Sequence, residues 1–175
     1  MMTRLRPGMI AAGFAATIGG CARAPDPATG SGVGHVHISL TGGSDTVGFQ
    51  VPLAARRCAD DHGVVLVGAL HGNGLLVWLR DGSGLPNQGN YPLLSRGDSA
   101  ATRGAIASVR YIVGTVAHGM IVDSGSATLA TERPPYIVRI TGNGAEAAMS
   151  GRHVVTMTAD RVPLVADTVN CRVQL

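Results

Sequence analysis

The sequence predicts an all-β protein: a β-sandwich or a partly closed antiparallel barrel of about eight to ten short strands, carrying one disulfide. Three observations predict it. Apolar residues come in short, β-branched runs separated by polar positions. Between the runs stand turn pairs such as Asp81-Gly82 and Asn143-Gly144, which supply the positive φ that tight hairpins require. No stretch keeps an i, i+3, i+4, i+7 apolar spacing long enough for a helix, although Ala145–Met149 has room for one turn.

Residues 1–20 read as a lipoprotein signal peptide. Arg4 and Arg6 give a positive start, and Met9 to Ile18 form an apolar segment too short to cross a bilayer core of about 30 Å. Ile18-Gly19-Gly20-Cys21 matches a bacterial lipobox, in which an aliphatic and two small residues precede the cysteine that becomes acylated. Two or more acyl chains on Cys21 would hold the mature chain on a membrane, since each buried CH₂ contributes about 0.8 kcal/mol. Residues 21–34 are the lipidated Cys and a Pro/Gly/Ala-rich tether without apolar period, and 35–175 form a single β domain.

The charge count supports no nucleic-acid partner. All 14 basic residues are Arg and the formal charge is +3. Losing Arg4 and Arg6 leaves twelve arginines against 11 acidic residues, close to neutral. Charged residues at 14% and apolar ones at 45% exclude a disordered or acidic tail protein.

Candidate strands are His35–Leu40, Val47–Leu53, Val64–Leu70, Leu75–Arg80, Ala105–Val113, Met120–Val122, Ala127–Thr131, Tyr136–Thr141, His153–Thr158 and Thr168–Val173. Thr41-Gly42-Gly43 and His71-Gly72-Asn73-Gly74 are further turns, and Gly82–Gly104 reads as a long, functional-surface loop. Phe49, Trp78 and Tyr91 are too scattered for a stacking platform and read as core. With Cys21 acylated, Cys58 and Cys171 remain, and an exported chain should pair them. That bridge would tie an early loop to the last strand.

The chain resembles the mycobacterial lipoprotein antigen family of small surface-anchored lipoproteins. Besides the lipobox, the resemblance rests on Gly125-Ser126-Ala127-Thr128-Leu129-Ala130-Thr131, followed by Tyr136 and Ile140-Thr141-Gly142, then a final strand carrying Cys171. Leu79-Arg80-Asp81-Gly82 is similar to the family's strand ending in an Asp-Gly turn, and Cys58 falls where the family has the disulfide partner. The tether, with only Thr29 and Ser31, is less hydroxyl-rich than the family's, and four residues follow Cys171. The resemblance implies a lipid-anchored, envelope-exposed β-sandwich without known catalysis, whose acylated N-terminus host receptors recognise.

Site candidates are few. His35 and His37 alternate on one strand, so both imidazoles share a face about 6.5–7 Å apart and can grip one metal ion if further ligands join them. Solvent-facing histidines are the competing reading. Arg96-Gly97-Asp98 spells a cell-attachment triplet, or merely a polar turn. Asp60-Asp61-His62 pairs a base with carboxylates, but no Gly-x-Ser-x-Gly elbow accompanies it. Only Glu132 and Glu146 are glutamates, which gives a paired-carboxylate hydrolase little support. The expectation is a non-enzymatic envelope lipoprotein without cofactor. Its partners would be the membrane, through its acyl chains, and host or envelope proteins. The alternative is a binding module for a small apolar ligand or a metal ion.

Overall fold

The computed structural model describes residues 32–39, 46–60, 62–82, 84–95, 97–98, 101–146 and 151–171. The signal peptide, the lipobox residues Ile18, Gly19, Gly20 and Cys21, and most of the tether lie outside them, as does Arg96. Ten strands make up the domain: β1 Gly32–Ser39, β2 Thr46–Cys58, β3 Val64–Leu70, β4 Asn73–Asp81, β5 Gly89–Pro92, β6 Arg103–Val113, β7 Val116–Leu129, β8 Tyr136–Glu146, β9 Arg152–Val162 and β10 Leu164–Val169. No helix occurs among the described residues.

The all-β prediction holds, and of the two architectures left open by the sequence the barrel is the one formed. Strands run β1-β9-β8-β7-β6-β4-β3-β2, and β1 pairs β2 to close the ring. These eight are antiparallel, and each pairs its predecessor in the series, so the barrel is an up-and-down meander. Closure leaves no raw edge in the ring.

Two extra strands complete one rim, here called the lower end. β1 begins at Gly32 opposite Leu53, and β10 continues along the same edge of β2 in parallel, from Leu164 opposite Ala55. β5 does the same for β7, pairing Gly89–Pro92 with Ser126–Leu129 beyond the stretch that pairs β6. Pro163 between β9 and β10 has no N–H, but its carbonyl accepts from Ala55 N at 2.8 Å.

Inward positions fill the ring with aliphatic side chains and three tyrosines. Val36, Leu53, Leu66, Val77, Ala107, Leu129, Ile140 and Met157 are among 27 residues of one continuous core. Each fully buried Val, Leu or Ile contributes roughly 1.5–3 kcal/mol relative to exposure. Glycines occupy the tightest inward sites. A Cβ on Gly34 would stand 2.7 Å from Leu53 Cδ1, and one on Gly144 would stand 2.8 Å from Met120 Sδ.

Those contacts explain where the sequence reading slipped. Gly32-Val33-Gly34, assigned to the tether by composition, opens β1 because its glycines face the crowded interior. Asn143-Gly144 is not a turn: Asn143 pairs Ser124 and Val154 within β8. Ala145 and Glu146 extend that strand rather than starting a helical turn. Met120–Val122 and Ala127–Thr131 belong largely to one strand, β7, bent by a bulge between Val122 and Ser124. The 82–104 region contains β5.

A second, smaller core lies outside the ring. Val65, Trp78 and Ile106 face outward from β3, β4 and β6, and Leu94 covers them together with Cys58 and Cys171. The disulfide is formed, with Cα atoms 5.4 Å apart, and both sulfurs are buried. Cys58 closes β2 rather than sitting in a loop, and Cys171 follows β10.

Candidate functional site

The upper end of the barrel gathers its ionisable side chains on inward positions. Tyr111 of β6 and His118 of β7 are directly opposite in register, and their rings stack with centroids 5.0 Å apart. Glu146 continues the inward alternation of Tyr136, Val138 and Ile140 to the end of β8, and its side chain is buried. His118 Nδ1 hydrogen-bonds Glu146 Oε1. The Tyr111 hydroxyl donates to Oε2 at 3.3 Å, and His153 Nε2 of β9 lies 3.7 Å from the same oxygen. A buried carboxylate is costly without such partners. Burial, then the Glu146 charge and its hydrogen bond, push the Tyr111 hydroxyl up to about 12.

His118 thus engages the carboxylate through Nδ1. Above it, Leu70, Val113 and Val116 hold inward-phase positions at the hairpin tips, yet are 42%, 47% and 57% exposed. The tips are locked side by side. His71 and Gly72 have φ of 51° and 84°, a two-residue turn of the primed type, and Asn73 Oδ1 accepts from Ile112 N at 3.0 Å. The mouth is therefore an apolar lip over an imidazole–carboxylate layer.

The lower end carries a second tyrosine–carboxylate pair. The Tyr91 hydroxyl lies 3.3 Å from Asp81 Oδ2 and donates to Asn87 O at 2.5 Å. Arg103, opposite Asp81 in register, places its guanidinium 4.6 Å from the Tyr91 ring centre. Burial raises the Tyr91 hydroxyl, Asp81 adds to this, and Arg103 opposes it. Beyond this rim an open hollow of about 620 Å³ is framed by Pro134, Pro135, Arg161, Pro163 and Leu164.

The residues singled out from sequence fall elsewhere. His35 and His37 point outward from β1, opposite Gln50 and Gly48 on one side and Thr158 and Thr156 on the other. Among the described residues no three His, Cys, Asp or Glu side chains form a metal-binding group. Gly97 has φ 93° and open space around it, but Asp98 is engaged. Its Oδ1 accepts from Ala101 N at 3.3 Å, and its carbonyl accepts from Arg80 Nη1 at 2.7 Å. Arg80 in turn stacks over Trp78, whose buried Nε1 has no partner among the described residues. His62 donates its backbone N–H to Asp60 Oδ1 in a turn, and Asp61 lies outside the described residues.

Sequence reasoning passed over Glu146, His118 and His153 as an isolated acid and scattered histidines. The available signal was phase: Glu146 falls on the apolar beat of β8, and Tyr111 and His118 fall on those of β6 and β7.

Fold and site together define a disulfide-bonded, closed eight-stranded up-and-down barrel with polar clusters at both ends. No protein-family model, curated protein or solved structure matches the chain.

Proposed function

We propose that this chain is a lipid-anchored bacterial envelope lipoprotein. Acylation at Cys21 holds it on the membrane, and the barrel serves as a non-enzymatic interaction domain facing away from the cytoplasm. The observation that carries the reading is the cysteine pairing. A buried Cys58–Cys171 bridge suits an oxidising compartment, and it accounts for two of the three cysteines, the third being Cys21 at the end of the lipobox. The resemblance to mycobacterial lipoprotein antigens points the same way and suggests host or envelope proteins as partners. A binding rather than catalytic role is favoured at the upper end, where the His118 imidazole meets Glu146 and no serine or cysteine among the described residues hydrogen-bonds it.

Detergent phase partitioning tests the anchor. Wild type should enter the detergent phase and Cys21→Ala the aqueous phase; equal aqueous partition of both, or an intact mass with Met1 retained, removes the reading.

A second reading, a carrier for a small apolar ligand, is favoured by the exposed inward lip of Leu70, Val113 and Val116. A hydrophobic fluorescent probe should bind wild type and lose affinity with Val113→Gln/Val116→Gln. Unchanged probe binding discards it. The metal alternative stands on His35 and His37 alone, and equilibrium dialysis against zinc decides it.

A further inference from the structure

Most glycines inside the strands of this barrel have a visible reason to be glycine. A Cβ would stand 1.8 Å from Pro52 O at Gly68, 2.5 Å from Leu94 Cδ1 at Gly104 and 2.2 Å from Ser124 O at Gly142. Gly125, with φ 117°, also needs the left-handed region. Gly119 of β7 has neither reason. Beyond its chain neighbours, no atom of the described residues lies within 4 Å of the place its Cβ would take, and its φ is not positive. A glycine inside a strand weakens it and commonly marks close approach by something else.

Gly119 faces outward, since His118 and Met120 on either side of it hold inward positions. The space it leaves belongs to a cavity of about 500 Å³ on the outer wall of β6, β7 and β8. Ser108, Ile121 and Ala145, in register across those three strands, line it together with Gly119. Ser95 borders it from the segment that follows Leu94. The chain's own cover of this wall, Leu94 over Trp78 and Ile106, lies one outward position below Ser108 on β6. Small-ligand sites commonly measure about 300–1,000 Å³, so the space suits a small molecule.

The lining restricts what that molecule is. Two carboxylates border the cavity, and both are already engaged. Asp123 accepts from Arg152 Nη1 at 3.2 Å, and Glu146 accepts from Tyr111 at 3.3 Å and pairs with His118. Arg110, opposite Gly119 in register, is exposed and does not line the cavity. A charged ligand would have to break one of these pairs or stay without a partner. The Ser95 and Ser108 hydroxyls make no hydrogen bond among the described residues. Each can donate to a carbonyl or accept from a hydroxyl. Ile121, Ala145 and the bare backbone of Gly119 offer the rest of the ligand an apolar bed.

We infer that this outer cavity binds a small neutral amphiphile, with its aliphatic body over Gly119 and Ile121 and one hydroxyl or carbonyl group at Ser108. The site is distinct from the apolar lip, because Val113 and Val116 take inward-phase positions at the rim while Gly119 faces outward. It goes beyond the envelope-interaction reading and does not depend on acylation of Cys21.

The test uses the full-length Cys21→Ala chain, because detergent would compete for the cavity. The probes 1-octanol, octanoate and octylammonium share one tail and differ in head group, and each is titrated while backbone amide shifts are followed by NMR. Octanol should give saturable shifts centred on Ser108, Gly119 and Ile121, and the two charged probes should bind at least about tenfold more weakly. Gly119→Ile puts a β-branched side chain into the empty space. It should abolish octanol binding while the melting temperature stays level or rises, since nothing is displaced and strand propensity improves. Ser108→Ala should weaken octanol several-fold, and Val113→Gln/Val116→Gln should bind it as wild type does. Absence of saturable shifts at these residues overturns the inference, as does equal binding of all three probes. Octanol binding that survives Gly119→Ile overturns it too. A lowered melting temperature in Gly119→Ile would assign the glycine to the fold instead. A change of oligomeric state in that variant, with no octanol bound by wild type, would place a second copy of the chain in the cavity and overturn it equally.

Discussion

The two ends of this barrel solve one problem with different chemistry. At each, a strand brings a carboxylate onto the inward face near the rim, and a buried tyrosine hydroxyl approaches it at 3.3 Å. At the lower end Asp81 faces a guanidinium, whose charge is fixed. β5, β10 and the disulfide crowd the same rim. At the upper end Glu146 faces two imidazoles, those of His118 and His153. Among the described residues no extra strand shields it, and three apolar side chains stand exposed around it. One end is stapled, and the other carries an exposed apolar lip.

The largest test of that contrast is the staple. Cys58→Ala/Cys171→Ala opens a loop with a sequence separation of 113 and should cost about 4–5 kcal/mol in guanidinium unfolding. Hydrogen exchange should quicken first in β10 and the end of β2, with β6–β7 still protected. Uniform loss of protection at both rims breaks the comparison.

Next come the carboxylates. Glu146→Gln and Asp81→Asn should each cost about 1–3 kcal/mol, since each strips a buried acceptor from its partners. Guanidinium unfolding of the two variants measures both costs, and a cost near zero at either site would show that its carboxylate does not hold that rim together.

Tyr111→Phe should cost about 1 kcal/mol at neutral pH and alter the alkaline limb. The folded hydroxyl titrates at about 12 against an ordinary 10.0, so the folded state retains its proton where the unfolded chain has lost it. Its contribution is complete below pH 10 and is lost as pH rises toward 12. Melting temperatures across that window should fall less steeply in the Phe variant, and a tyrosinate absorbance step near 12 should vanish.

The smallest effect belongs to Asp123, held below the usual carboxylate range by its hydrogen bond to Arg152 on the barrel's exterior. Its contribution is present above the ordinary carboxylate value and lost as pH falls through the lowered one. Asp123→Asn should lower the neutral melting point slightly, and its difference from wild type should vanish as pH falls through the lowered value.

Strand phase made much of this legible in advance. Val64–Leu70 was bounded as observed, and the cysteine count led to the bridge that forms. The site was less legible. His118 and His153 come from different strands and meet Glu146 only because β7, β8 and β9 are consecutive neighbours around the ring. The prediction that turned Asn143-Gly144 into a hairpin also cut β8 short of Glu146.

The sequence by itself determined the strand class, the apolar phase of the longer runs and the pairing of two sulfurs, because these depend on local alternation and on counting. Closure was decided only in three dimensions. It requires β1 to pair both β2 and a strand more than a hundred residues away, and it needs glycines where Leu53 and Met120 leave no room for a Cβ. The same closure set which outward threonines stand side by side and which inward acid meets two imidazoles, since both follow from cross-strand register, which no single strand encodes.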